Sequence, residues 1–318
     1  MNRAHPLNKI TIIIFVLCCS VAVNAQSYKR SFIDSIQYKI IKVRPSLTSP
    51  AIHSWDSVHI IYYDPKVKNN KILLWLTGTG GTTGNIPVEF FKTALAQGYR
   101  VVALSFISVP AVAQICAGNV LNSNADCAAD FRQKRIYGDK DFSLIQDEPQ
   151  DAIIPRFVKL LQWLEQNDVD GNWSQYLDKV ASKPAWNKIA IAGQSQGGGM
   201  AEFIAQHEIV ARVISFSGGW DYSNSKEKKI AGWYYKSSLT PKDSWYATYH
   251  IHENAAMVLS EICSALQIPT DHVFAFDKTL QNMAASNGSP NPYHGEGIRN
   301  IVYKPIWKLM LGSGASEK

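Results

Sequence analysis

The sequence has little charge, since Asp, Glu, Lys and Arg make up 18% of its 318 residues and the net charge is +6. A charge this mild does not predict nucleic-acid binding, and the short basic group at 226–229 is typical of solvated surface. There is no internal repeat, low-complexity tract or Pro/Ser-rich linker, and 46% of the residues are hydrophobic. These features exclude a disordered or repeat protein and favour one large globular domain.

A long apolar stretch is found at the N-terminus, where Ile10 to Val23 follow the basic residues Arg3 and Lys9. The stretch ends at Val23-Asn24-Ala25, which fits a small-residue cleavage site. This pattern predicts a secretory signal peptide over residues 1–25, because an uncleaved membrane anchor, the alternative, would be longer. We therefore expect a periplasmic or secreted domain over 26–318, with no membrane span and a net charge of about +4 after the leader is removed.

Cysteine is scarce, with five in the chain. Cys18 and Cys19 leave with the leader. Cys116 and Cys127 flank the polar, loop-like stretch "CAGNVLNSNADC", and an oxidising compartment favours a disulfide between them. Cys263 lies in an apolar helical pattern and is predicted to be free and buried. The alternative is three reduced, buried thiols.

The order of elements along the chain predicts an α/β fold. "YKIIKV" and "SVHIIYY" have the β-branched and aromatic composition of two opening antiparallel strands. Apolar strands such as "KILLWL", "RVVALSF", "NKIAIAG", "ARVISFSG", "WYATYHIH" and "HVFAF" then alternate with stretches of helical spacing. This alternation predicts a largely parallel sheet with helices on both faces. Residues 107–148 show no clear period and are interpreted as a loop-rich insertion.

One motif carries chemistry. Gly193-Gln194-Ser195-Gln196-Gly197 is a G-x-S-x-G sequence that follows an apolar strand and precedes a helix. In that context the serine occupies a sharp strand-to-helix turn that raises its hydroxyl above the sheet, and the small neighbours allow close backbone packing. Ser195 is therefore the candidate nucleophile.

From about Tyr38 to Leu311 the chain resembles the α/β-hydrolase superfamily, in particular its secreted bacterial serine hydrolases. The resemblance implies a catalytic acid and a histidine that follow Ser195 in the chain. His294, in "NPYHGEGIRN", is the predicted base because it lies in a loop after the last predicted strand. Outside the predicted leader, the other histidines either lie on or beside regular elements or precede the nucleophile; they are His207, His250, His252, His272, His53 and His59.

The resemblance leaves the acid open among three carboxylates. Glu253 follows the strand "WYATYHIH", where the family usually holds the residue that orients the histidine, and it is preferred. Asp221 in "SGGWDY" is the alternative, one strand earlier. Asp277, after "HVFAF", is a third choice.

The oxyanion of a tetrahedral intermediate needs two backbone N–H groups. The resemblance assigns one to Gln196 and the other to the loop "TGTGG", at Thr79 with Gly80 beside it. Thr77 stands where many relatives carry histidine, so this loop departs from the family pattern.

Two further features of the sequence have no assigned role. Aromatic residues are dense between Trp220 and Tyr249, where they could line a substrate pocket or simply pack a loop. "DVDGN" at 168–172 is similar to a calcium loop but lacks the remaining ligands. No metal and no cofactor are predicted.

The sequence thus predicts an exported esterase that is acylated on Ser195 and acts on a small-molecule or polymer-borne ester. A peptidase or amidase would use the same residues. An alternative of another class is an inactive hydrolase fold that binds envelope glycans. The sequence does not indicate an oligomeric state.

Overall fold

The structure is a computed structural model that describes residues 33–68, 70–180, 182–223, 228–280 and 290–314. The predicted signal peptide over 1–25 lies outside these ranges. No helix in the described part of the chain has both the length and the apolar character needed to cross a membrane.

A mixed sheet forms the centre of the described chain. Its eight strands lie in the order β1-β2-β4-β3-β7-β8-β9-β10, and a separate hairpin pairs β5 with β6. The strands are β1 Lys39–Val43, β2 His59–Tyr63, β3 Ile72–Leu76, β4 Arg100–Ala103, β5 Leu177–Asp178, β6 Lys183–Pro184, β7 Ile189–Gln194, β8 Arg212–Phe216, β9 Trp245–His250 and β10 Val273–Phe276. β2 runs antiparallel to both β1 and β4, and the remaining neighbours of this sheet are parallel.

Helices cover both faces of the sheet, as predicted. They are α1 Pro45–Thr48, α2 Val88–Ala96, α3 Val112–Ile115, α4 Asn119–Ser123, α5 Cys127–Tyr137, α6 Ile153–Asn167, α7 Gln196–His207, α8 Ala256–Ala265, α9 Glu296–Arg299 and α10 Lys304–Leu311. Successive strand residues point to opposite faces, so Leu74 packs with the cluster under α5, α6 and α7 while Trp75 packs with α2 and α10. The α/β fold class is therefore confirmed.

The insertion over 107–148 is more helical than predicted, because α3, α4 and α5 all lie within it. The reason is visible on α5, whose inner face carries Arg132 and Arg135 in place of a continuous apolar stripe. Both guanidinium groups are buried against carboxylates: Arg135 Nε lies 2.6 Å from Asp147 Oδ2, and Arg132 Nη2 lies 2.7 Å from Asp221 Oδ1. Charged residues on the buried face of a helix interrupt the hydrophobic period that sequence analysis detects.

The predicted disulfide is confirmed. Cys116 follows the last residue of α3 and is bonded to Cys127, the first residue of α5, with their Cα atoms 5.6 Å apart. Cys263 is a free thiol within α8, and burial raises its pKa. The disulfide thus joins the two ends of the segment that contains α4.

Removing this link should weaken the fold. We expect Cys116→Ala/Cys127→Ala to lower the free energy of unfolding by roughly 2–4 kcal/mol, because the disulfide restricts the unfolded chain. Urea denaturation of both proteins, with and without dithiothreitol, measures the effect. Reductant should destabilise the wild type and leave the double variant unchanged; equal sensitivity of the two proteins would contradict the assignment.

Candidate active site

Ser195 occupies the turn between β7 and α7. Its backbone has φ 58° and ψ −123°, an uncommon conformation for a residue with a side chain, and its N–H donates to the Phe216 carbonyl at 2.9 Å. This is the strained strand-to-helix geometry expected for a G-x-S-x-G serine, in which the hydroxyl stands above the carboxyl end of the strand.

Glycines allow this turn to pack against the sheet. A Cβ at Gly197 would collide with the carbonyl oxygens of Leu76 and Thr77, at the end of the neighbouring strand. A Cβ at Gly193 would collide with the Gly197 carbonyl. The glycines of the motif are thus required by close backbone approach rather than by flexibility.

His294 and Glu253 are in direct contact. His294 Nδ1 lies 2.6 Å from Glu253 Oε2, and the Glu253 side chain is entirely buried while that of His294 is 22% exposed. The other Glu253 oxygen accepts from Ser217 Oγ at 2.5 Å and from the His250 N–H at 2.9 Å. Three donors therefore fix the carboxylate, which leaves Nε2 of His294 as the ring nitrogen available for other chemistry.

The other two candidate acids lie elsewhere. The Asp221 carboxylate is buried and accepts from Arg132 Nε and Nη2, each at 2.7 Å, and from Trp233 Nε1 at 2.8 Å. Asp277 has a side chain 58% exposed and lies 3.2 Å from Lys278 Nζ. Of the three carboxylates, Glu253 is the one that the structure brings to His294.

Two adjoining cavities meet at Ser195. A cavity of about 340 Å³ is lined by His294, Gln194, Asn85, Arg299 and the loop Thr77–Gly81, among others. A smaller one of about 220 Å³ is lined by Gln196, Arg132 and Trp220 together with Ala111–Gln114 and Gly219. Ser195 and Thr79 line both. The predicted nucleophile therefore has an open space on each side.

The residues assigned to the oxyanion lie at this junction. Gln196 is the first residue of α7, and N–H groups in a helix's first turn have no partner inside the helix. Thr79 belongs to a tight turn in which the Gly81 N–H donates to the Gly78 carbonyl at 2.9 Å. Thr77, which begins the same loop, donates through Oγ1 to the Gly81 carbonyl at 3.3 Å. Gln196 and Thr79 both line the smaller cavity beside Ser195.

The described chain has an α/β fold, in which a mostly parallel eight-stranded sheet is covered by helices on both faces. Solved structures similar to it include dienelactone hydrolase from Anabaena variabilis, with 14% identity, a TM-score of 0.46 and coverage of 86% of this chain and 96% of that one. S-formylglutathione hydrolase from Staphylococcus aureus has 13% identity, a TM-score of 0.45 and coverage of 86% and 97%. An esterase from Pyrobaculum calidifontis has 12% identity, a TM-score of 0.45 and coverage of 88% and 86%. No family model and no curated protein matches the sequence. The similarity concerns the fold alone.

Sequence analysis missed the side-chain role of Gln196. Its Nε2 donates to the Ser108 carbonyl at 2.8 Å, and its Oε1 accepts from the Val112 N–H at 3.0 Å. Both partners belong to the insertion. The first residue of α7 thus holds the insertion beside Ser195, a contact that no local pattern in the sequence could indicate.

The dense aromatic region between 220 and 249 divides into two groups. Trp233, Tyr234 and Trp245 are buried in the core, so packing explains them. Trp220 lines the smaller cavity, and its ring meets that of His294 edge-on with centroids 5.0 Å apart. Its Nε1 donates to the Ser217 carbonyl at 2.8 Å, which fixes the indole against the imidazole. Trp220 is therefore the member of this region that contacts the site.

The stretch similar to a calcium loop has a structural role. Asp168 accepts hydrogen bonds from Lys39 Nζ at 2.5 Å, Tyr63 Oη at 2.7 Å and Trp173 Nε1 at 2.8 Å. These bonds hold the pKa of the Asp168 carboxyl below its ordinary value despite burial, which acts in the opposite direction. Among the described residues, no group of three or more His, Cys, Asp or Glu side chains is arranged to hold a metal ion.

A buried carboxyl lies on α7, the helix that follows the predicted nucleophile. Glu202, on α7, accepts from Ser215 Oγ at 2.5 Å, and its Oε2 has no hydrogen-bond partner among the described residues. Burial raises the pKa of Glu202 from 4.5 to about 7. The folded protein therefore binds this proton more tightly than the unfolded chain, and the group's contribution to stability decreases as pH rises through that interval.

Glu202→Gln should remove that pH dependence. Between pH 4.5 and pH 7 the wild type should lose up to about 3 kcal/mol of unfolding free energy through this group, and the variant should not. Urea denaturation across this range measures the difference between the two proteins. Glu261→Gln, at an exposed position on α8, is the matched control and should follow the wild type. Parallel pH profiles for wild type and Glu202→Gln would contradict the prediction.

Proposed function

We propose that this chain is an exported serine hydrolase that cleaves carboxylic esters through an acyl-enzyme on Ser195. The observation that carries the proposal is the 2.6 Å contact between His294 Nδ1 and the buried Glu253 carboxylate, at a cavity that Ser195 and His294 line together. A carboxylate in that position keeps the proton on Nδ1 and leaves Nε2 to act as a base.

The reaction follows from these groups. Nε2 of His294 takes the proton from Ser195 Oγ as the oxygen attacks the ester carbonyl, and Glu253 stabilises the resulting imidazolium. The backbone N–H groups of Gln196 and Thr79 stabilise the oxyanion of the tetrahedral intermediate. Collapse of the intermediate breaks the bond to the alcohol, which leaves with the proton from His294. Water, deprotonated by the same imidazole, then releases the acid and frees Ser195.

The two cavities have different roles in this scheme. The leaving alcohol must be near His294, because the imidazole supplies its proton, so the larger cavity takes the alcohol portion. The smaller cavity contains Gln196 and Thr79, and His294 does not line it. It is therefore the pocket for the acyl group.

A fluorophosphonate probe tests the proposal directly. Folded protein should be labelled at Ser195, as located by peptide mass spectrometry, and should hydrolyse p-nitrophenyl esters in a panel from acetyl to long acyl chains. Turnover of peptide or amide substrates in preference to esters would favour a peptidase. No labelling and no turnover by folded protein would favour the binding protein, and glycan binding would then be tested.

Export belongs to the same proposal. The apolar leader and the disulfide in the mature part of the chain support it. N-terminal sequencing of protein recovered from the periplasm or medium should begin at Gln26. Protein retained in the membrane with residues 1–25 still present would contradict cleavage.

A further inference from the structure

The cavity assigned to the alcohol has an exposed cation at its wall. Arg299, the last residue of α9, lines this cavity together with Ser195 and His294. Among the described residues that line it there is no aspartate or glutamate. Glu253 contacts His294 Nδ1, is entirely buried and does not line the cavity. The alcohol portion of an ester therefore enters a space whose permanent charge is positive.

The glycine after the predicted base shows where the guanidinium lies. A Cβ at Gly295 would be 2.1 Å from Arg299 Nη1, so the guanidinium lies over the backbone of the residue next to His294. Residues four apart share one side of a helix and their side chains lean towards its N-terminus, which is the end of α9 at which His294 lies. Gly295 has φ −100°, an ordinary conformation, so it is the approach of the arginine that requires a glycine here.

Within the described part of the chain, Arg299 has no carboxylate partner. None of the ion pairs between described residues includes it. Glu296, on the same short helix, accepts instead from Asn300 Nδ2 at 3.1 Å. A guanidinium presents a planar fork of donors that fits a carboxylate. A carboxylate brought in by the substrate would therefore meet an unpaired cation, and the attraction between the charges requires no fixed hydrogen-bond geometry.

The remainder of the cavity fits a compact alcohol. Its volume of about 340 Å³ corresponds to roughly eleven water molecules at about 30 Å³ each, which suits one ring or a short chain that bears a carboxylate. Trp75 and Ile298 supply apolar surface for the hydrocarbon part, and Asn85 supplies a neutral amide.

We propose that the alcohol side of the site is specific for esters whose alcohol portion carries a carboxylate, which is attracted by Arg299. The substrate class is thus the O-acylated hydroxy acids. This inference rests on the proposed function, because it assigns the leaving-group side of that same site. Arg299 acts here as a specificity residue that contacts substrate.

Acetate esters with a common acyl group test the specificity in the wild-type protein. The pairs are 4-acetoxybenzoate with 4-acetoxybenzamide, and 3-acetoxybenzoate with 3-acetoxybenzamide, since each pair differs in a carboxylate against a neutral carboxamide of similar shape. After correction for alkaline reactivity, at least one carboxylate should have a kcat/KM about fivefold or more above its amide partner at low ionic strength. Equal values, or a preference for the amide in both pairs, would overturn the inference.

Salt provides a second measurement on the same substrates. The carboxylate-to-amide ratio should fall as sodium chloride is added, because dissolved ions screen the attraction between an exposed guanidinium and a bound anion. A ratio that is independent of salt would overturn the electrostatic basis of the preference.

Arg299→Gln is the accompanying variant, because it removes the charge and keeps a polar side chain at this exposed position. The carboxylate-to-amide ratio should fall towards one, with thermal unfolding checked to show that the variant is folded. Arg299→Lys keeps the charge and should keep a higher ratio than Arg299→Gln. A wild-type ratio in folded Arg299→Gln, or equal ratios in the two variants, would overturn the role of Arg299.

Arg44→Gln is the matched control, since Arg44 is an exposed arginine that lines neither cavity. It changes the net charge of the protein by the same amount and should keep the wild-type ratio. A fall equal to that in Arg299→Gln would attribute the preference to net charge and overturn the assignment to the cavity.

Binding separates this inference from the proposed function. Ligand-observed NMR titration of Ser195→Ala with the same ester pairs requires no turnover, and the carboxylates should bind more tightly than their amide partners. Hydrolysis without discrimination leaves the esterase proposal standing and rejects the carboxylate site. Absence of hydrolysis by wild type, together with tighter carboxylate binding that is lost in Ser195→Ala/Arg299→Gln, rejects the esterase proposal and supports the carboxylate site.

Discussion

Replacing Ser195 with alanine should lower kcat for ester hydrolysis by about a million-fold, and His294→Ala should lower it by a similar factor. The two losses are comparable because an unactivated serine and a base without its nucleophile are each ineffective, so the groups act as one unit. Hydrolysis of p-nitrophenyl acetate by purified, folded protein measures both. The double variant should be little worse than either single one.

Matched controls come from residues of the same type at exposed positions. Ser123→Ala, on α4, and His53→Ala should keep the wild-type rate. If Ser195→Ala retained more than a few per cent of activity, a different nucleophile would have to be sought, and the acyl-enzyme proposal would be withdrawn.

Glu253→Gln should lower kcat by about 10⁴-fold while leaving the protein folded. The change retains the size of the side chain but can place an amide N–H, instead of a carboxylate oxygen, opposite His294 Nδ1. The imidazole would then adopt the tautomer with its proton on Nε2, which cannot act as a base. The Ser217 hydroxyl and the His250 N–H still find an amide oxygen, which preserves the local structure. Steady-state kinetics on p-nitrophenyl acetate give the magnitude.

Variants of the other two candidate acids serve as controls, because they should affect stability or nothing rather than kcat. Asp277→Asn should have no effect, because its carboxylate is exposed and remote from His294 in the hydrogen-bond network. Asp221→Asn should lower the free energy of unfolding by about 3–5 kcal/mol, since it leaves Arg132 buried beside a neutral partner. A loss of kcat in Asp221→Asn that equals the loss in Glu253→Gln would contradict the assignment of Glu253.

Much of the fold could be predicted because its strands are short apolar runs bounded by turn residues, which sequence analysis detects well. The turn before α7 could be predicted equally well, since a G-x-S-x-G sequence between a strand and a helix restricts the backbone to few conformations. The helices of the insertion could not be predicted in the same way, because Arg132 and Arg135 interrupt the buried apolar face of α5. The ion pair between Arg132 and Asp221 joins residues 89 positions apart, so the local periodicity of the sequence cannot indicate it.

Contacts between distant parts of the chain also distinguish the three candidate carboxylates. Glu253, Asp221 and Asp277 all lie near strand ends in the sequence, so position alone ranks them weakly. What distinguishes them is the set of donors around each: Ser217, His250 and His294 converge on Glu253. These contacts come from separate parts of the chain, and only the folded structure brings them together.

The two side-chain hydrogen bonds of Gln196 have a consequence for engineering. Because this residue supplies a backbone N–H at the predicted oxyanion site and also anchors Ser108 and Val112, the insertion is not an independent module. A segment transplanted from another protein of similar fold would have to offer a carbonyl and an amide N–H at the same two points to keep the start of α7 in place. Exchange of the whole segment is therefore expected to disturb the turn at Ser195, whereas side-chain replacements within the insertion that keep both hydrogen bonds should leave it in place.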